Sequence, residues 1–134
     1  MTLPSDLADR SICDLETTGR RSGLLRRVEI WFAADPVRDR IYVLSGGRDE
    51  AHWVRNARAD GRVRVRIGGR WFAGVATEVE GGPDDPLARC LLAAKYQGWS
   101  EGRPLSGWAR GSLPVAIDLD LNATPPRGGP ERDG

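Results

Sequence analysis

Apolar and polar positions alternate with a period of two along much of this chain, the spacing that puts every second side chain on one face of a strand. "ICDLETTG" (12–19) and "RRVEIWFAA" (26–34) both read this way, with Val28, Ile30 and Phe32 on one face of the second. Between them the glycine-bracketed "GRRSG" predicts a turn. After another turn, "DPVRD", the run "RIYVLSGG" (40–47) predicts a third strand ending at a glycine pair. Three such strands in succession make a meander of antiparallel hairpins.

The period then changes. In "DEAHWVRNARAD" (49–60), Trp53, Val54 and Ala57 recur near helical spacing, and Asp49 is a candidate cap for a short helix. Alternation returns in "GRVRVRIGGRWFAGVATEVEGG" (61–82), where Val63, Val65 and Ile67 interleave with Arg62, Arg64 and Arg66 before a Gly68-Gly69 hairpin turn. "DDPLARCLLAAKYQGW" (84–99) predicts the longest helix, with Pro86 early and Leu87, Leu91 and Leu92 on its apolar face. "SEGRPLSGWARGS" (100–112) reads as a loop, and "LPVAIDLDL" (113–121) as the last strand. A short helix in "LPSDLADRSI", capped by Ser5, precedes all of this. The order β-β-β-α-β-β-α-β predicts a mainly β (α+β) domain, a small antiparallel barrel with two to three helices. That domain spans 1–121, and the Pro-, Gly- and charge-rich 122–134 is expected to be a disordered tail.

At 134 residues the chain is long enough for one real core. It has no apolar run approaching a membrane span and an acidic, polar beginning, so a cytoplasmic location is expected. Cys13, Cys90 and the lone His52 fall at no metal-binding spacing, so no metal site is assigned and the cysteines read as small buried thiols. With a single histidine, metal-dependent and triad hydrolases are not expected. The net charge of +1 argues against nucleic acid, and the arginines of "RVRVRI" alternate with a buried face as on any exposed sheet.

Charge matters through clustering. Arg20, Arg21, Arg26 and Arg27 fall within eight positions of a near-neutral chain, a local patch that suits a small polyanion. Arg20, Arg21 and Ser22 sit on a turn whose glycines, Gly19 and Gly23, let backbone approach a ligand closely. Guanidinium forks and turn N–H groups bind phosphate or carboxylate oxygens well. Arg26 and Arg27 point to opposite strand faces, so one of them joins the turn. A solvated basic hairpin is the competing reading. Farther on, Ser45, Gly46 and Gly47 offer a hydroxyl and bare backbone at a strand-to-helix junction, and Trp53 and Asn56 share a helical face.

In this order, "TTGRRSG" with its downstream arginine, "YVLSGG" and "W-x-x-N-x-x-A" resemble the deazaflavin-dependent nitroreductase family of the flavin/deazaflavin oxidoreductases, over about residues 12–118. The resemblance implies a split β-barrel akin to pyridoxamine-phosphate oxidase and the coenzyme F420, whose phosphodiester and oligoglutamate tail form a polyanion. Carried over by position, Arg20, Arg21, Ser22 and Gly23 would meet phosphate and tail, with Arg26 adding a strand-borne charge. Ser45, Gly46 and Gly47 would lie beside the deazaflavin ring, and Trp53 and Asn56 would wall the pocket. The implied activity is hydride transfer between reduced deazaflavin and an enone, quinone or nitroaromatic, with Ser45 and Tyr96 as candidate hydroxyl donors. Tyr96 equally suits a core position. Two alternatives remain open on the same barrel: an F420 carrier without catalysis, since Ser45 abuts Gly46 with no residue between, and an FMN oxidoreductase. A homodimer is expected, because such barrels commonly share their pocket and Trp31, Trp71 and Trp108 have no assigned place.

Overall fold

Cys13–Thr18 (β1) and Leu25–Ile30 (β2) form a hairpin in register from Cys13↔Ile30 to Thr18↔Leu25. The computed structural model describes residues 2–121, so the expected tail at 122–134 lies outside the described residues. Five further strands, Ala33–Ala34 (β3), Arg40–Ser45 (β4), Arg62–Ile67 (β5), Arg70–Glu78 (β6) and Leu113–Leu119 (β7), complete one sheet in the order β2-β1-β5-β6-β7-β4-β3. Every neighbouring pair is antiparallel. The sheet curls into a half-barrel, the small antiparallel barrel that the alternation predicts in the split form that the resemblance implies.

Register explains the core. Val28, Leu15, Val65 and Phe72 stand side by side across four strands, and the last three are at most 2% exposed. Ile41, Val43, Val115 and Ile117 close the same core from β4 and β7. On the other face of β5 the arginines are not a free basic surface. Arg64 donates to the buried carboxylate of Glu16 at 2.6 Å and stacks over Trp71 at 4.3 Å. Ion pairing and cation–π stacking thus account for "RVRVRI" and for Trp71.

β4 and its neighbour β7 are buried along nearly their whole lengths, β4 from Ile41 to Ser45. The second face of β4 is covered by Asp85–Gln97 (α3), whose Ala88, Leu92 and Ala93 pack on Tyr42, Leu44 and Ala116. His52–Ala59 (α2) covers β1, and Ser5–Ala8 (α1) packs Leu7 into the main core.

Four local expectations are corrected. The N-cap of α1 is Pro4 rather than Ser5. Asp49 lies in a 3-10 turn, Arg48–Glu50, and the N-cap of α2 is Ala51, with no side-chain cap. The strand predicted over 26–34 breaks at Trp31–Phe32, because side chains claim the Phe32 backbone. Its N–H donates to the Tyr96 hydroxyl at 3.1 Å and its carbonyl accepts from Lys95 Nζ at 2.9 Å. The stretch predicted as a loop holds another helix, Gly107–Gly111 (α4), capped by Ser106 Oγ accepting from the Ala109 N–H at 3.1 Å. Buried Arg89 reaches from α3 to donate to the carbonyls of Ala109, Arg110 and Ser112, which fixes this short helix where its own propensity could not. Of the thiols, Cys13 is buried and its pKa is pushed up to about 12 by burial and the charge of Asp14, while Cys90 is only half-buried.

Candidate functional site: an arginine cleft beside a glycine turn

The β1–β2 turn is built tightly. The Gly19 N–H donates to the Leu24 carbonyl at 2.7 Å, the Gly23 N–H donates to the Gly19 carbonyl at 2.8 Å, and Ser22 Oγ accepts from the Leu24 N–H at 3.1 Å. Glycine is required at two points. A Cβ on Gly19 would meet Ser22 Oγ at 2.7 Å and the Leu24 carbonyl at 3.0 Å, and Gly23 has φ +73°.

Asn56 on α2 anchors this turn from below. Its Oδ1 accepts from the Arg20 backbone N–H at 3.1 Å and from the Arg20 guanidinium at 2.9 Å. Its Nδ2 donates to buried Thr17 Oγ1 at 3.2 Å, so one buried amide joins helix, strand and turn. One helical turn earlier, His52 Nδ1 lies 3.5 Å from the same guanidinium.

Together these elements border a cleft of about 470 Å³, lined by Thr17, Gly19, Arg20, Arg21, Ser22, Arg26, Arg27, Val28, His52, Trp53 and Asn56. Among the described residues, no carboxylate lines it. Among the described residues, Arg20, Arg21 and Arg26 form no ion pair, whereas Arg38, Arg40, Arg58, Arg64 and Arg89 each hold an aspartate or glutamate. The question of Arg26 against Arg27 resolves by register. Arg26 pairs with Thr17 and shares the inner face with Val28, its Nε close over Gly19. Arg27 pairs with Glu16 on the outer face, near that carboxylate and Trp71, and borders the cleft only from there.

The remaining sequence candidates lie elsewhere. Gly23 is part of the turn but does not line the cleft. Ser45 is 3% exposed and its hydroxyl donates to the Arg48 carbonyl at 2.9 Å, which commits it to holding the turn that follows β4. That turn contains Arg48 at φ +51°, an unusual conformation for a side-chain-bearing residue, fastened through Arg48 to the Gly111 carbonyl and to Glu80. Gly46 and Gly47 are exposed there. A Cβ on Gly47 would touch Ala51, which leads into α2, and one on Gly46 would touch the Trp108 ring at 3.5 Å.

Tyr96 does not reach the arginine cleft. Its hydroxyl is shared among the backbone of Phe32 and the Ser11 carbonyl, and burial raises its pKa while the Phe32 N–H opposes that rise. Neither candidate hydroxyl is therefore a free proton donor to the cleft. Sequence reasoning passed over Thr17, Val28 and His52. Thr17 and Val28 follow from alternation with Leu15 and Arg26, and His52 lies four residues before Asn56 on the same helix face.

A larger concavity, about 640 Å³, lies across β1, β5, β6 and β7. Its charged lining is Glu16, Asp39, Asp60, Asp118 and Asp120 against Arg62 and Arg64, the wrong sign for a polyanion. The charge that a polyanion needs lies in the arginine cleft.

Fold and cleft together define a split-barrel protein with an arginine-rich turn beside an open cleft. The sequence matches the F420H(2)-dependent quinone reductase family over residues 5–119, and the chain belongs to that family. It is an oxidoreductase that uses F420. Among solved structures it is similar to an F420-H2-dependent reductase (24% identity, 83% of this chain and 95% of that one, TM-score 0.58) and to a second F420 reductase (18% identity, 88% and 96%, TM-score 0.59). It also shares its fold with the heme storage protein HutZ from Vibrio cholerae (15% identity, 83% and 82%, TM-score 0.63). No curated protein matches the sequence. The cleft fits the cofactor: among the described residues Arg20, Arg21 and Arg26 hold no carboxylate and none lines the cleft, which suits a phosphodiester with an acidic tail.

Proposed function

We propose that this F420-dependent reductase delivers a hydride to a quinone-class acceptor, holding the cofactor's anionic end in the arginine cleft and its ring along Gly46–Gly47. The observation that carries the reading is the set of three arginines, Arg20, Arg21 and Arg26, left without carboxylate partners around a glycine turn. In a chain with 19 acidic residues, a cleft without one is arranged for an anion.

The bound cofactor in its reduced form supplies the hydride. The protein's own part is placement. Asn56 sets the Arg20 backbone, Gly19 and Gly23 keep the turn low, and Ser45 stabilises the left-handed Arg48 so that Gly46 and Gly47 present bare backbone. A quinone reduced by hydride also gains a proton. With Ser45 and Tyr96 both committed to backbone partners, that proton comes from solvent, so turnover needs no titrating side chain in the pocket.

The test is a fluorescence titration with F420 and with FMN, followed by turnover of F420H2 with a naphthoquinone. Arg21→Ala and Arg26→Ala are expected to weaken F420 at least tenfold, each losing a charge-assisted contact of roughly 1.5–3 kcal/mol. FMN binding with no F420 binding would move the chemistry to ordinary flavin. Tight F420 binding with no turnover of any enone, quinone or nitroaromatic would leave a carrier.

A further inference from the structure

Three tryptophans had no assigned place in the sequence, and two of them acquire one: Trp71 lies under the outer arginines and Trp108 packs beside Gly46. Trp31 does not, being 42% exposed. It is nevertheless held in place. Its ring lies face to face on Tyr96 at 4.4 Å and 3°, and meets Trp108 at 5.3 Å and 80°. Tyr96 is itself fixed by the Phe32 backbone and the Ser11 carbonyl, so the indole is supported by a ring with no freedom to turn away.

The position of this cluster gives it meaning. Arg20 lies next to His52, α2 leads back through Ala51 to Gly47, Gly46 lies against Trp108, and Trp108 meets Trp31. These neighbours lead stepwise from the arginine cleft past the bare backbone of Gly46 and Gly47 to the exposed Trp31 ring. We propose that Trp31 is the surface on which the flat acceptor stacks, and that this favours electron-poor planar rings, quinones above aliphatic enones. The proposal rests on the function given above. An indole is electron-rich and a quinone electron-poor, so face-on contact is favourable beyond burial alone. A support rigid before the acceptor arrives adds no ordering cost on binding.

The full-length protein tests this with Trp31→Ala and Trp31→Phe. First, without cofactor, a naphthoquinone is titrated against tryptophan fluorescence; saturable quenching is expected, and Trp31→Ala should weaken it roughly 5- to 10-fold. Second, kcat/KM is measured with F420H2 for that quinone and for cyclohexenone. The quinone-to-enone ratio should fall by a similar factor, through KM for the quinone, and Trp31→Phe should restore most of it. Equal losses for both acceptors would make Trp31 merely structural and overturn the proposal. So would an unchanged ratio, including one accompanied by a dimer-to-monomer change in light scattering, which would make the ring an interface between copies. A wild-type protein that binds no F420 removes the functional reading, while the quenching titration still decides the stacking.

Discussion

Replacing Asn56 with leucine tests how the cleft is held open for an anion. Asn56 is 3% exposed and makes three hydrogen bonds, two accepted from Arg20 and one donated to Thr17, which is 1% exposed. At roughly 0.5–1.5 kcal/mol net for each bond, Asn56→Leu costs about 2–4 kcal/mol, shared between global stability and docking of the turn. If half of that falls on docking, the competent population of the turn drops and F420 affinity falls by about 5- to 30-fold. Asn56→Asp separates the two effects. Its carboxylate still accepts from Arg20, and the Thr17 hydroxyl can reverse and donate, so the fold is retained. The added negative charge among Arg20, Arg21 and Arg26 offsets one of them, so affinity falls without loss of stability, and salt dependence of binding weakens. Urea denaturation and F420 fluorescence titration at two ionic strengths read both quantities. Wild-type affinity in Asn56→Leu would refute the idea that this amide builds the site.

Other predictions concern what surrounds the site. Arg89 is buried and caps three carbonyls of the α4 segment while pairing with Asp85; Arg89→Met should destabilise the protein by about 3–5 kcal/mol in urea denaturation, because Asp85 and the carbonyls lose their partner. Since α4 carries Trp108, weakened packing against Gly46 should accompany that loss. Asp35 is buried at the β3–β4 turn. Burial pushes its carboxyl up, but bonds from the Tyr42 hydroxyl, the Val37 N–H and Arg38 outweigh it and hold the pKa at about 2 instead of 3.8. A carboxyl depressed in the folded state stabilises it at pH above 4 and loses that contribution as pH falls toward 2. The loss is worth roughly 2 kcal/mol, and Asp35→Asn should flatten the acid limb of a stability-against-pH curve over that interval.

The alternation of Leu15 and of Val63, Val65 and Ile67 with charged neighbours made the sheet legible, because one face of each strand must be apolar. The arginine turn was legible too, since charge density and flanking glycines are local features. Less legible was what depends on distant partners. The loop-like composition of Gly107–Gly111 hides a helix that exists because Arg89, about twenty residues earlier, supplies its C-terminal bonds. Ser45 and Tyr96 have suitable chemistry, yet only the fold reveals that Arg48 and Phe32 occupy their hydroxyls. Asn56 was read as a wall of the pocket and is also the anchor of its turn. Trp31, Tyr96 and Trp108 are far apart in the chain, and only the fold brings them into one aromatic cluster just beyond the end of β2.

The central claim is that the unpaired arginines exist for the anionic end of F420. Its most direct test is titration of wild-type and Arg21→Ala protein with F420 at low and moderate salt. Saturable binding that weakens with salt, and at least tenfold less affinity with a shallower salt slope in Arg21→Ala, is the predicted result. Binding that is indifferent to both salt and the loss of Arg21 would contradict it, and "GRRSG" would then be a solvated turn on a shared fold.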